Sequence, residues 1–139
     1  RILQSAWVWT DWLFHGFDAR QELGKAFARI ELVQQHIPED DAVIGKVARL
    51  FELKGHDDLI DAFAGIANRF PKARLMFVGD GLLRSALEAR AAALGLRDRV
   101  TFAGLVPPER VPDMIKAMDL LVHASLREGL ARVLPQALL

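Results

Sequence analysis

The chain has 139 residues, 52% apolar and 26% charged, a balance that fits one globular domain with a single core. Its formal net charge is zero and no segment clusters Lys or Arg, which argues against a nucleic-acid or anionic-membrane surface. It has no cysteine and no run of the roughly 18 apolar residues a membrane helix needs, so disulfides, thiolate metal sites and such spans are excluded.

The first 41 residues are expected to form a separate N-terminal segment that includes a helix. Residues 1 to 14 hold Trp7, Trp9, Trp12 and Phe14 with little polar relief. Such a stretch reads either as a partner surface, with self-association expected, or as a segment packed on the same domain. The opening Arg1-Ile2-Leu3 has neither an initiator Met nor a signal-peptide layout, so the chain is expected to begin inside a longer protein. Ala19 to His36 carries Leu23, Phe27, Ile30 and Val33 at helical spacing. Pro38-Glu39-Asp40-Asp41 reads as a turn.

From residue 42 to 139, strand-like and helix-like stretches alternate. Ala42 to Ala48 is short and β-branched, hence a strand. His56 to Phe70 reads as a helix with Leu59, Ile60, Phe63, Ile66 and Ala67 on one face, Asp57 and Asp58 in its first turn, and Pro71 as its stop. Arg74 to Val78 is the second strand and runs into Gly79-Asp80-Gly81. Leu83 to Leu94 is a helix stopped by Gly95. Arg99 to Ala103 is the third strand. Pro107-Pro108-Glu109 opens a helix containing Val111, Met114, Ile115 and Met118. Asp119 to His123 is the fourth strand, and a last helix runs from about Leu130. Four such units predict an α/β fold, a Rossmann-like parallel sheet with flanking helices. Ligands of such sheets bind outside the carboxyl ends of the strands. Arg49, Gly79 to Gly81, Leu105 with Val106, and Glu128 all follow strands and converge on that rim.

Three pieces of the rim carry chemistry. Arg49 and Lys54 lie on one loop, and paired cations are a direct way to hold a nucleoside diphosphate. Gly55 beside Lys54 allows backbone amides close approach, and the helix behind it adds a positive dipole end. The spacing is not that of a P-loop. Gly79, Asp80 and Gly81 fit either a ligand contact or a sharp turn with Asp80 capping the next helix. Glu128 reads either as an acceptor for sugar hydroxyls, with the free amides of Gly129 and Leu130 facing phosphate, or as a plain acid on the helix dipole, and Gln136, two turns on, either reaches a ribose hydroxyl or lies in solvent. Of the four histidines, none has metal-ligand spacing. His56 is expected to be solvated, and His123 lies on the rim.

Several stretches, in order, resemble the C-terminal, donor-binding domain of the group 1 glycosyltransferases of GT-B fold. They are Gly45-Lys46-Val47-Ala48-Arg49-Leu50 with Lys54-Gly55, Phe77 to Gly81, Arg99 to Gly104, and Met118 to Leu130. The resemblance implies that Arg49, Lys54 and Glu128 serve catalysis, the first two on the donor pyrophosphate and the third on sugar hydroxyls. It places Gly79, Asp80, Gly81, Val106, Gly129, Leu130 and Gln136 against the nucleotide sugar, with Val106 near the base. It implies retention of anomeric configuration, no metal ion and no cofactor beyond the donor itself. His15-Gly16-Phe17-Asp18 is similar to the family's crossover from an N-terminal acceptor domain, which is the expected missing partner.

Three departures bear on what carries over. Gln136 stands where the family has a second glutamate, and an amide can still bond a ribose. Pro135 lies inside the expected last helix. The family's acceptor domain and closing strand and helices are expected to lie outside this stretch, so this chain alone is expected to be inactive. A cytoplasmic location, extending to the inner face of the membrane, is expected. Two alternatives stand beside the transferase: a sugar-nucleotide epimerase of the same fold, and a non-catalytic α/β protein-interaction module.

Overall fold

The structure is a computed structural model that describes residues 37, 38, 40–126, 133 and 135. Residues 1 to 36, with the tryptophan-rich start, the expected first helix and the crossover stretch, lie outside the described residues.

Four strands form one parallel sheet: β1 (Ala42–Val47), β2 (Ala73–Val78), β3 (Val100–Gly104) and β4 (Leu120–Leu121), in the order β3-β2-β1-β4. Three α-helices connect them: α1 (His56–Ala67), α2 (Arg84–Ala93) and α3 (Val111–Lys116). This is the Rossmann-like layout expected from the sequence. The alternation of side chains sorts the core into two layers. Leu75 and Phe77 point to the face covered by α1 and α2, where Leu59, Ile60, Phe63, Leu87 and Ala91 meet them. Val43, Met76 and Val78 point to the other face, against Met114 and Ala117. A strand apolar on both faces is what a sheet with helices on both sides requires.

Helix α1 shows how local and distant groups share one element. It begins after Gly55, whose left-handed backbone (φ 65°) turns the chain in, with Asp57 and Asp58 in the first turn. It ends at Ala67, short of the expected Phe70. The amides of Arg69 and Phe70 both fold back on the Ile66 carbonyl, so the chain leaves the helix before Pro71 is reached. Carbonyls along this exit are bonded by Arg99, which donates to Ala67 O at 2.7 Å, Phe70 O at 2.6 Å and Ala73 O at 2.6 Å. Its guanidinium also lies 5.3 Å from the Phe63 ring centroid. Arg99 thereby joins the end of α1, the turn after it and the start of β2.

The helix expected from Pro107 is split. A 3₁₀ turn at Pro108–Arg110 precedes α3, and Pro112 explains the break, because it lacks an N–H and restricts the residue before it. Strand β4 is shorter than expected. The Asp119 carboxylate, not a backbone carbonyl, accepts the Val43 amide at 2.7 Å, and the last tie to β1 is the Val122 amide on the Gly45 carbonyl at 2.8 Å, after which residues 123–125 carry no regular structure. Asp80 does not cap α2. Gly81, Leu82 and Leu83 separate it from the helix, which begins without a side-chain cap, and its carboxylate instead accepts the Gly81 amide at 2.8 Å. Val133 and Pro135 are both helical. Among the described residues, no helix is long and apolar enough to cross a membrane.

Arg99→Ala removes the bonds to three carbonyls and is expected to cost about 2 kcal/mol of stability. Chemical denaturation measures it, and Arg99→Lys, with one donor head in place of a planar fork, is expected to recover less than half.

Candidate donor-binding site

The sheet changes direction at β1: β2 and β3 lie to one side of it and β4 to the other. The loops leaving β1 and β4 therefore flank a crevice at the carboxyl edge, where open α/β sheets bind ligands. The β1 loop carries Arg49 and Lys54, and the β4 loop leads to Glu128. The two loops touch. The Leu126 amide donates to the Leu53 carbonyl at 2.8 Å, and a side chain at Gly55 would meet the Ala124 carbonyl at 2.1 Å.

Residues 49 to 51 alternate out, in, out. Leu50 is fully buried, while Arg49 and Phe51 are exposed. The Leu50 amide donates to Asp80 O, and Leu50 O accepts the Leu83 amide, both at 3.0 Å. With its neighbour locked to the β2 loop, the Arg49 side chain is presented outward, its guanidinium 5.9 Å from the Phe51 ring centroid. Leu53 is the one non-glycine described residue with positive φ (64°), and it directly precedes Lys54 on this loop.

Gly79-Asp80-Gly81 owes its glycines to this same joint. At Gly79, where φ is 136°, an added Cβ would lie 2.1 Å from the Ala48 carbonyl. At Gly81 it would lie 2.5 Å from the Leu50 carbonyl. Close packing against the β1 loop thus accounts for both glycines, and Asp80 contributes its carbonyl to Leu50 and its carboxylate to Gly81. Val106, after β3, is half-buried against the second core layer, while Leu105 beside it is 83% exposed. Glu128, Gly129, Leu130 and Gln136 lie outside the described residues.

His56 corrects the expectation of a solvated ring. It is 2% exposed, because α1 begins so close to β2 that its first side chain must enter the core. Nε2–H donates to the Arg49 carbonyl at 2.8 Å, and the ring meets Phe77 edge-on. Nδ1 is buried without a hydrogen-bond partner among the described residues, as is the Ser125 hydroxyl in the β4 loop. Burial pushes the His56 pKa below 6.5; the Arg49 carbonyl opposes this, while the nearby Lys46 charge adds to it. The sequence signalled neither His56 nor Ser125, since the first reads as a helix opener and the second as a loop residue. Among the described residues, no group of three or more His, Asp or Glu could hold a metal ion.

The parallel sheet with helices on both faces is a Rossmann-like layout that matches glycosyltransferases of GT-B fold. The chain belongs to the group 1 glycosyl transferases, whose family model matches residues 28–138. It is 33% identical over 118 residues to mannosylfructose-phosphate synthase of Agrobacterium fabrum, spanning 79% of this chain and 26% of that protein. It is 35% identical over 101 residues to 2-deoxystreptamine glucosyltransferase of Streptomyces kanamyceticus, spanning 73% and 26%. The chain thus spans about a quarter of the length of these relatives. A crystal structure of Anabaena Alr3699/HepE in complex with UDP and glucose superposes with a TM-score of 0.71 at 29% identity. It covers 90% of this chain and 34% of the Anabaena chain.

Two outcomes follow from the site geometry. Gly79→Ala, strained in φ and in collision with the Ala48 carbonyl, is expected to cost about 3 kcal/mol or more, measured by denaturant titration. For His56 the folded pKa lies below 6.5, so the unfolded chain takes up its proton first as pH falls. Its contribution to stability is therefore complete above about pH 6.5 and is lost as pH drops towards the folded pKa. Thermal melts between about pH 8 and 5 are expected to show this decline, and His56→Gln to flatten it.

Proposed function

We propose that this chain holds most of the donor site of a glycosyltransferase that moves a sugar from a nucleoside diphosphate to a hydroxyl acceptor, with retention of configuration. The observation that carries this reading is the pair Arg49 and Lys54, on a loop fixed at the β1–β4 switch point. The Anabaena neighbour, described with UDP and glucose, supports a nucleotide-sugar ligand.

In the proposed chemistry, Arg49 and Lys54 face the diphosphate. Charge builds on that group as the sugar–oxygen bond breaks, so fixed cations act more strongly in the transition state than in the ground state. Arg49 needs little reorganisation, because the bonds of its neighbour Leu50 to the β2 loop already hold its backbone. These cations, without a metal ion, take up the charge of the leaving group. Glu128 holds sugar hydroxyls, the amides of Gly129 and Leu130 face phosphate, and Gln136 bonds the ribose. Gly79, Asp80, Gly81 and Val106 border the nucleotide from the β2 and β3 loops. The acceptor binds on a further domain, across a cleft from this rim.

Calorimetric titration of uridine, guanosine and adenosine diphosphates tests the reading and identifies the base. One nucleotide is expected to bind saturably, and Arg49→Ala to weaken it by roughly 10- to 100-fold, the loss of a charge-assisted contact. Glu128→Gln is expected to weaken the nucleotide sugar while leaving the bare diphosphate within about threefold. A protein-interaction module would show neither effect, and indifference of binding to both substitutions would remove the donor site from consideration.

A further inference from the structure

The chemistry above makes no use of His56, yet its side chain reaches the loop on which that chemistry depends. The ring is anchored in the sheet: it meets Phe77 edge-on at 5.3 Å between centroids, and Phe77 stacks on Phe102 at 5.2 Å. From this seat Nε2–H spans the Arg49–Gly55 loop and donates to the Arg49 carbonyl at 2.8 Å. The same carbonyl accepts the Phe51 amide at 2.9 Å, closing a tight turn around Leu50.

A carbonyl held by two donors cannot rotate freely, so the Cα of Arg49 keeps one orientation. The loop between is one that needs such fixing. Leu53 adopts a φ of 64°, which a non-glycine residue keeps only when its surroundings over-determine it. The Leu126 amide ties the Leu53 carbonyl from the far side of the crevice. His56 supplies the tie from beneath. An uncharged donor suits this place, because Lys46 and Lys54 already bring positive charge close to the ring, balanced in part by Asp57.

We infer that His56 is a positioning residue of the donor site: its Nε2–H bond to the Arg49 carbonyl closes the Arg49–Gly55 loop and sets where Arg49 and Lys54 meet the diphosphate. This inference rests on the donor-site reading given above. His56 touches no substrate, and acts through the loop.

The test is a double-mutant cycle on uridine diphosphate binding to the 139-residue chain, with His56→Leu, His56→Gln, Arg49→Ala and the His56→Leu/Arg49→Ala pair. Leucine removes the donor, whereas the glutamine amide nitrogen lies as many bonds from Cα as Nε2 and can restore it. Arg49→Ala keeps the carbonyl and removes only the guanidinium. His56→Leu is expected to weaken binding about tenfold alone but only about threefold or less beside Arg49→Ala, while His56→Gln stays within about threefold of the wild type. If circular dichroism shows His56→Leu unfolded, His56→Asn, whose amide is too short to reach the carbonyl, takes its place with the same expectations. Equal losses with and without the Arg49 guanidinium, or a glutamine variant as weak as leucine, would overturn the positioning role and leave the donor site standing. A folded wild-type chain that binds none of the three diphosphates would overturn the donor-site reading and this inference with it.

Discussion

The rim of this protein depends on how one residue, Leu50, is held. Its side chain is fully buried, and both polar groups of its backbone are bonded to the loop after β2. The hydrophobic term fixes the depth of the residue, and the two hydrogen bonds fix its rotation about the chain. Every neighbouring feature follows from that. Arg49 and Phe51 must face outward, Gly79 and Gly81 must lack side chains, and the Asp80 carbonyl must point at β1. The start of the loop that carries the two cations is thereby tied to the loop after β2.

Such anchoring matters for electrostatic chemistry. A zero net charge gives the molecule no long-range pull on an anion, so any binding of a diphosphate must come from local arrangement. Cations that already occupy their working positions lose little entropy when the anion arrives, and they are worth more in a partly desolvated crevice than on an open surface. The buried His56 ring fits this logic. It contributes a hydrogen bond to the loop without contributing a charge, since burial holds it in its neutral form.

Much of this was legible in the sequence, and the misses have physical causes. The order of strands and helices could be read because each strand is a short apolar run and each helix keeps one apolar face. The cation loop could be read because Arg49, Lys54 and Gly55 follow the first strand directly. Boundaries failed where a distant side chain intervened. Arg99 captures carbonyls at the end of α1, and Asp119 replaces a backbone acceptor beside β4; neither event has a local signature. The burial of His56 was also invisible, because a histidine at the head of a helix is ordinarily solvated and only the approach of β2 encloses it. The glycines around Asp80 were read as turn or ligand residues, and their close contact with the β1 loop depends on a pairing that sequence does not display.

The central claim is that the crevice between the β1 and β4 loops receives a nucleoside diphosphate. The most direct test is a nuclear magnetic resonance titration of uridine diphosphate into the isotopically labelled chain, following backbone amides. Shifts concentrated on Arg49 to Gly55 and on Ser125 to Leu130 are the predicted result. Shifts centred instead on the groove between α2 and β3, around Arg84, Arg97 and Phe102, would contradict it.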